Sequence, residues 1–167
     1  MKSLFVRLFS CIFVISSWMQ AFAVNKQTTF ILISKQELKL HIVDNMGDTV
    51  FSTPICIGQN YGNKQKVGDK RTPEGVFYVC NIHNAQKWLH DFGDGNGPIV
   101  GAYGPYFIRL HVPGYNGIGI HGTHLPESIG TRASEGCIRL NNEDLKKMLP
   151  FVYIPMKVII TSDARDI

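Results

Sequence analysis

Cysteine is scarce in this chain: four among 167 residues, one of them (Cys11) within the first 23. So few cannot make a disulfide scaffold, so the fold must rest on an apolar core. Charge is thin as well, at 18% of residues, with 17 basic side chains against 13 acidic ones. The basic residues are spread along the sequence rather than clustered, which argues against a nucleic-acid partner. No repeat, low-complexity tract or inter-domain linker breaks the sequence, and its length suits one domain with a sizeable core. The extended apolar run from Leu8 to Met19 is shorter than a membrane span requires.

That run has a different use. Lys2 and Arg7 precede it, and Ala21-Phe22-Ala23 follows as a small-x-small cleavage site. Residues 1–23 therefore read as a secretory signal, with the exported chain starting near Val24. Loss of Lys2 and Arg7 lowers the formal net charge of +4 by two, leaving a weakly basic protein. Three cysteines then remain, Cys56, Cys80 and Cys137. An odd count in an exported chain implies a free thiol. Cys56 and Cys80 either pair with each other or sit separately as small core residues.

The densest cluster of chemically useful residues is Ile120 to Leu140, IHGTHLPESIGTRASEGCIRL. It begins with His121-Gly122 and closes with Ser134-Glu135-Gly136-Cys137-Ile138-Arg139. A thiol of ordinary pKa about 8.5 is mostly protonated at neutral pH, so a nucleophilic cysteine needs a neighbour to take its proton. An imidazole within reach does this, and adjacent strands joined by a loop would bring His121 and Cys137 together. Gly136 permits a sharp turn and close approach to the sulfur, and backbone N–H groups of such a turn can face an oxyanion. In an extended segment Arg139 shares a side with Cys137, placed to grip a substrate carboxylate. The alternative is a buried structural cysteine beside an arginine paired to an acid.

This segment resembles the signature of the L,D-transpeptidase family (YkuD-like): His-Gly, a spacer, then Ser-x-Gly-Cys, an apolar residue and Arg or Asn. The resemblance implies that Cys137 is the acylated nucleophile and His121 its general base. It makes Gly122 the carbonyl that orients the imidazole, and Arg139, with Ser134 and Gly136, part of the substrate-side machinery. Many members have histidine directly before Gly-Cys, where this chain has Glu135. Arg71-Thr72-Pro73-Glu74-Gly75 resembles the Thr-Pro-x-Gly turn of the same family, so the likeness extends upstream, from about Thr29 to Thr161. Aromatics before the His-Gly pair line the donor cleft in that family, which makes Tyr103 and Tyr106 candidates here.

The remaining pattern is mainly β. Thr28 to Ile33, Glu37 to Val43, Thr49 to Ile57, Val76 to Cys80, Tyr106 to Val112, Ile118 to Gly122 and Lys157 to Thr161 read as strands. Asp44 to Asp48 supplies a hairpin turn between the second and third. Asn141 to Asp144 opens a helix that Pro150 closes. Asn81 to Gly97 reads as a long connection, either a rim over the site or a loop pinned by Trp88 and Phe92. The expected class is a sandwich or partly closed barrel with one or two short helices, and the family resemblance implies a β-sandwich of mixed sheets.

The resemblance implies acyl transfer on peptidoglycan stem peptides, with an amine acceptor on another stem or on an envelope protein. Water as acceptor would make the same machinery an L,D-carboxypeptidase. No cofactor is implied. A metal site built on His121, His124 and Cys137 is disfavoured, because His-x-x-His lacks the helical spacing and Pro126 stands nearby. A silent wall-binding module is the third reading, favoured only by Glu135, whose charge would raise the thiol pKa if it faced Cys137. In an extended segment Glu135 would face away.

Overall fold

Alternating apolar positions with β-branched side chains make short strands along most of the chain. The computed structural model describes residues 28–166, and the segment read as an export signal lies outside them. In order, the strands are β1 (Phe30–Ser34), β2 (Lys39–Val43), β3 (Thr49–Pro54), β4 (Ile57–Gly58), β5 (Gly75–Asn84) and β6 (Leu89–His90). They continue with β7 (Ile99–Val100), β8 (Tyr106–His111), β9 (Gly119–His121), β10 (Arg132–Ser134), β11 (Ile138–Arg139) and β12 (Lys157–Thr161). Helix α1 (Asn142–Met148) lies between β11 and β12.

Eight strands form one sheet in the order β11-β9-β8-β5-β12-β1-β2-β3. It is mixed: β1 runs parallel to β12 and β9 parallel to β11, while the other neighbours are antiparallel. The two edges of this sheet approach each other. Just beyond β3, Cys56 exchanges two backbone hydrogen bonds with Arg139 of β11, at 2.9 and 2.8 Å. The sheet is thus curled into a partly closed barrel, which leaves its edges little free backbone to pair elsewhere.

Ile31, Ile33, Leu40, Ile42, Val158 and Ile160 fill the interior from the centre of the sheet. Leu145 and Met148 of α1 close it from one side at 0% exposure. Ile108, Ile120 and Ile138 sit side by side across β8, β9 and β11 and are also fully buried. Burial of each such side chain is worth about 1.5–3 kcal/mol. Because side chains alternate along a strand, anchoring this isoleucine row inside turns the adjacent row, Phe107, His121 and Arg139, to the opposite face. The candidate site grows on that face.

The longer strands follow the sequence pattern. The run from Thr49 to Ile57 breaks into β3 and β4, the short strands β6, β7 and β10 carry no periodic signal, and β5 is longer than expected. β5 runs on to Asn84, taking in residues that read as the start of a long loop. A register shift between Val79 and Asn81 breaks its in–out alternation there, and with it the periodic signal. Cys80 stands exposed at this bulge while Cys56 is fully buried, and both are free thiols, so they form no pair and only Cys56 is a core residue.

Candidate active site

The parallel pairing of β9 and β11 joins the two halves of the His-Gly and Gly-Cys signature. Ile138 pairs with Ile120 and Arg139 with His121, so Cys137, immediately before β11, enters beside Gly119 on the face that carries His121. Both side chains line one open cleft of about 430 Å³. Tyr103, Phe92, His90, Glu135 and Arg139 line it with them, as do Lys64 and Lys70 from the polar loop before β5.

His121 is 3% exposed and held on three sides. Its Nδ1 lies 2.6 Å from the Gly122 carbonyl oxygen. A carbonyl only accepts, so Nδ1 carries the hydrogen and Nε2 keeps its lone pair. Phe107, its cross-strand partner, stacks on the ring at 5.3 Å and 10°, and Tyr103 meets it edge-on at 4.9 Å. Burial pulls the imidazole pKa down to about 3, against the opposing pull of the Gly122 carbonyl, and the Arg139 charge lowers it further.

The sequence around Cys137 makes a tight turn. Gly136 has φ +125°, and a Cβ there would lie 2.8 Å from the Arg71 carbonyl oxygen, so only glycine fits. The Ser134 hydroxyl donates to the Cys137 carbonyl at 2.5 Å and accepts from the Gly136 N–H at 3.1 Å. Thr72 donates to the Gly136 carbonyl at 3.0 Å and accepts from the Gly58 N–H at 2.9 Å. Ser134 and Gly136 therefore shape the nucleophile turn from inside, and the Gly136 N–H is unavailable to an oxyanion. The thiol donates to the Gly117 carbonyl at 3.3 Å. Burial pushes its pKa up, with Gly119 and Arg139 acting against that and Glu135 adding to it.

A neutral imidazole beside a neutral thiol differs from the thiolate–imidazolium pair that the residue types alone suggest. The cause is burial, which penalises both charged forms. Such a pair can still do acyl transfer, with the proton moving to Nε2 as sulfur attacks.

Arg139 is 6% exposed, and its guanidinium lies 5.4 Å over the Phe92 ring with no carboxylate partner among the described residues. Tyr103 lines the cleft, whereas Tyr106 packs against the hydrophobic core and is not among the lining residues. Glu135 departs from the outward orientation expected of an extended segment. The turn at Gly136 breaks strand alternation, and the carboxylate enters the cleft, where Oε2 accepts from His90 Nε2 at 2.8 Å. His90 in turn hydrogen-bonds to the Tyr103 hydroxyl at 2.9 Å.

Within the long connection, Trp88 is the pin, packed against His83, Tyr103 and Phe107. Phe92 is the rim, touching His90 and His124. His90, Phe107 and Gly119 escape sequence reading, and Thr72 is legible only as part of the turn before β5, because a short motif does not show which distant side chains reach it. Among the described residues no group of three or more His, Cys, Asp or Glu is placed to hold a metal. No helix among them is long and apolar enough to cross a membrane.

The fold and cleft define a mainly β domain with a cysteine and a histidine converging at the parallel edge of a curled mixed sheet. The family model of the L,D-transpeptidase catalytic domain (YkuD) matches residues 28–160, and the chain belongs to that family. It is 28% identical over 144 residues to the L,D-transpeptidase-family protein YqjB of Bacillus subtilis, covering 82% of this chain and 73% of that one. It is 30% identical over 138 residues to YbiS of Escherichia coli, a relative of the same family, covering 77% of this chain. It spans only 43% of YbiS. The catalytic domain of the Enterococcus faecium L,D-transpeptidase shares the fold with a TM-score of 0.59 at 24% identity, over 80% of this chain and 96% of that one. The helical cell shape determining protein Pgp2 of Campylobacter jejuni does so with a TM-score of 0.62, also at 24% identity, over 81% of this chain and 47% of that one.

Proposed function

We propose that this protein is a cysteine-dependent peptidoglycan L,D-transpeptidase. The observation that carries the reading is the tautomer of His121. With Nδ1–H held by the Gly122 carbonyl, the bare Nε2 is presented on the face that carries the Cys137 thiol.

In this mechanism Cys137 attacks the carbonyl of the L-centre of the diamino acid at position three of a stem peptide, and His121 takes the thiol proton. The tetrahedral adduct bears an oxyanion, and this reading assigns the Cys137 backbone N–H as its donor, since the Gly136 N–H is already bonded to Ser134. Collapse breaks the peptide bond, the proton passes from His121 to the leaving amine, and the terminal D-residue departs. The thioester then passes to an amine of a second stem or an envelope protein, and His121 repeats the shuttle. Arg139, buried with no acidic partner among the described residues, receives a substrate carboxylate. Tyr103 and the Phe92 rim supply apolar walls. Such a substrate lies outside the cytoplasm, which accords with residues 1–23 acting as an export signal.

The test is intact mass after incubation with a carbapenem, whose strained acyl group captures an activated thiol. Wild type should gain a stoichiometric adduct. Cys137→Ala should gain none, and His121→Ala should gain it far more slowly. A folded, reduced wild type that stays unmodified would remove this reading and leave a silent wall-binding domain.

A further inference from the structure

Among the described residues lining the cleft, Glu135 is the only acid. The other charged side chains there, Lys64, Lys70 and Arg139, are all basic. Lys64 is neutralised by Asp69 at 2.8 Å, but Lys70 and Arg139 have no ion-pair partner among the described residues. A cleft with that lining would repel an ammonium ion and leave water unaffected. Glu135 reverses this locally. It is anchored by hydrogen bonds: His90 donates to Oε2, and the Tyr103 hydroxyl bonds His90 from the other side. Its second carboxylate oxygen has no partner among the described residues, and the side chain is 43% exposed.

We infer that Glu135, held in place by His90, is the specificity-determining residue that favours an amine over water as acyl acceptor. The inference rests on the transpeptidase reading above. A primary amine reaches the cleft as an ammonium ion, which a carboxylate draws in and the uncompensated charges of Lys70 and Arg139 would exclude. Loss of one proton to solvent frees its lone pair. The nitrogen then attacks the thioester carbon and becomes cationic again as the C–N bond forms, so the attraction to Glu135 is recovered in the tetrahedral adduct. Its second proton passes to His121 Nε2, the C–S bond breaks, and sulfur regains that proton. An amide and a free thiol result. Water carries no charge on arrival, so it makes only an ordinary hydrogen bond to Glu135 and lacks the attraction that concentrates an ammonium ion there.

The experiment supplies the purified protein with a synthetic stem tetrapeptide as donor and a stem tripeptide with a side-chain amine as acceptor. Amide and hydrolysed acid are separated and counted by mass spectrometry, and their ratio is compared across wild type, Glu135→Gln, Glu135→Asp and His90→Gln. The amide-to-acid ratio should fall roughly tenfold in Glu135→Gln, stay near wild type in Glu135→Asp, and fall to an intermediate value in His90→Gln. A merely structural role for Glu135 would slow both products together and leave the ratio unchanged. An unchanged ratio in Glu135→Gln, on a wild type that forms its acyl-enzyme, overturns this inference alone. A wild type with no acyl-enzyme on Cys137 overturns the transpeptidase reading and this inference with it.

Discussion

The imidazole of His121 lies parallel to the ring of Phe107, 5.3 Å away with an interplanar angle of 10°. The two residues are cross-strand partners on β9 and β8, so the sheet itself sets the stack. Gly119 makes it possible, because a Cβ there would overlap the Phe107 ring and the Ile108 carbonyl. Gly119→Ala should therefore displace Phe107 and tilt the imidazole. Cysteine acylation should slow roughly 10- to 100-fold, as expected when a base is misplaced by about 1 Å. Stopped-flow acylation rates read beside circular dichroism would separate this from unfolding.

The pKa of His121 has a kinetic consequence. A base already neutral above about pH 3 shows no titration near 6.5. The acylation rate of the free enzyme should stay level from about pH 5 to 8, without the acid limb of an ordinary histidine near 6.5. A pH–rate profile with a clear step near 6.5 would contradict the buried, neutral assignment.

The same shift acts on stability. Between about pH 3 and 6.5 an unfolded histidine binds a proton that the folded one refuses, so the unfolded state holds more protons there. Stability should fall as pH drops through that window, by an amount of order a few kcal/mol. The raised Cys137 thiol works at the other end, where its contribution is lost as pH rises through the alkaline range. Denaturation midpoints of His121→Gln should depend less on acid pH than those of wild type.

Gly136→Ala should damage the nucleophile turn directly. Its φ of +125° and the Arg71 carbonyl 2.8 Å from the new Cβ leave no relaxed conformation. A loss of about 1–3 kcal/mol is expected, together with loss of acylation. Thr72→Val should mimic this more mildly, since it removes the hydroxyl that bridges Gly58 and Gly136. Chemical denaturation with parallel adduct formation distinguishes the two.

Asp69 organises the loop before β5 through Lys64 and the N–H groups of Gln65, Lys66 and Arg71. Burial acts against its charge, but these bonds win and hold the carboxyl well below the usual range. Asp69→Ala should free Lys64 and loosen one wall of the cleft, raising the KM for the donor more than it lowers kcat. Steady-state kinetics with the stem tetrapeptide checks this split.

Much of the architecture was legible from local signals. The Asp44–Asp48 turn between β2 and β3, the short strand ending at His121 and the helix after Asn141 all follow from turn chemistry and periodicity. The parallel pairing of β1 with β12 was not legible, because partners more than a hundred residues apart leave no local mark. Glu135 shows a different limit. Alternation predicts that it faces away, but one glycine with positive φ resets the alternation and sends it into the cleft. His90, 45 residues upstream of Glu135, has no sequence signal linking it to the motif.

The accessibility of the sulfurs makes the cleft chemically addressable. Among the described residues, Cys56 is shielded from solvent behind its backbone bridge to Arg139, while Cys80 stands on the outer surface of β5. Replacing Cys80 with serine leaves Cys137, half-buried on the wall of the open cleft, as the thiol there that a small maleimide should label. A fluorophore or spin label would then report on the Phe92 rim from within arm's length, turning a proposed nucleophile into a built-in probe of when the cleft is occupied.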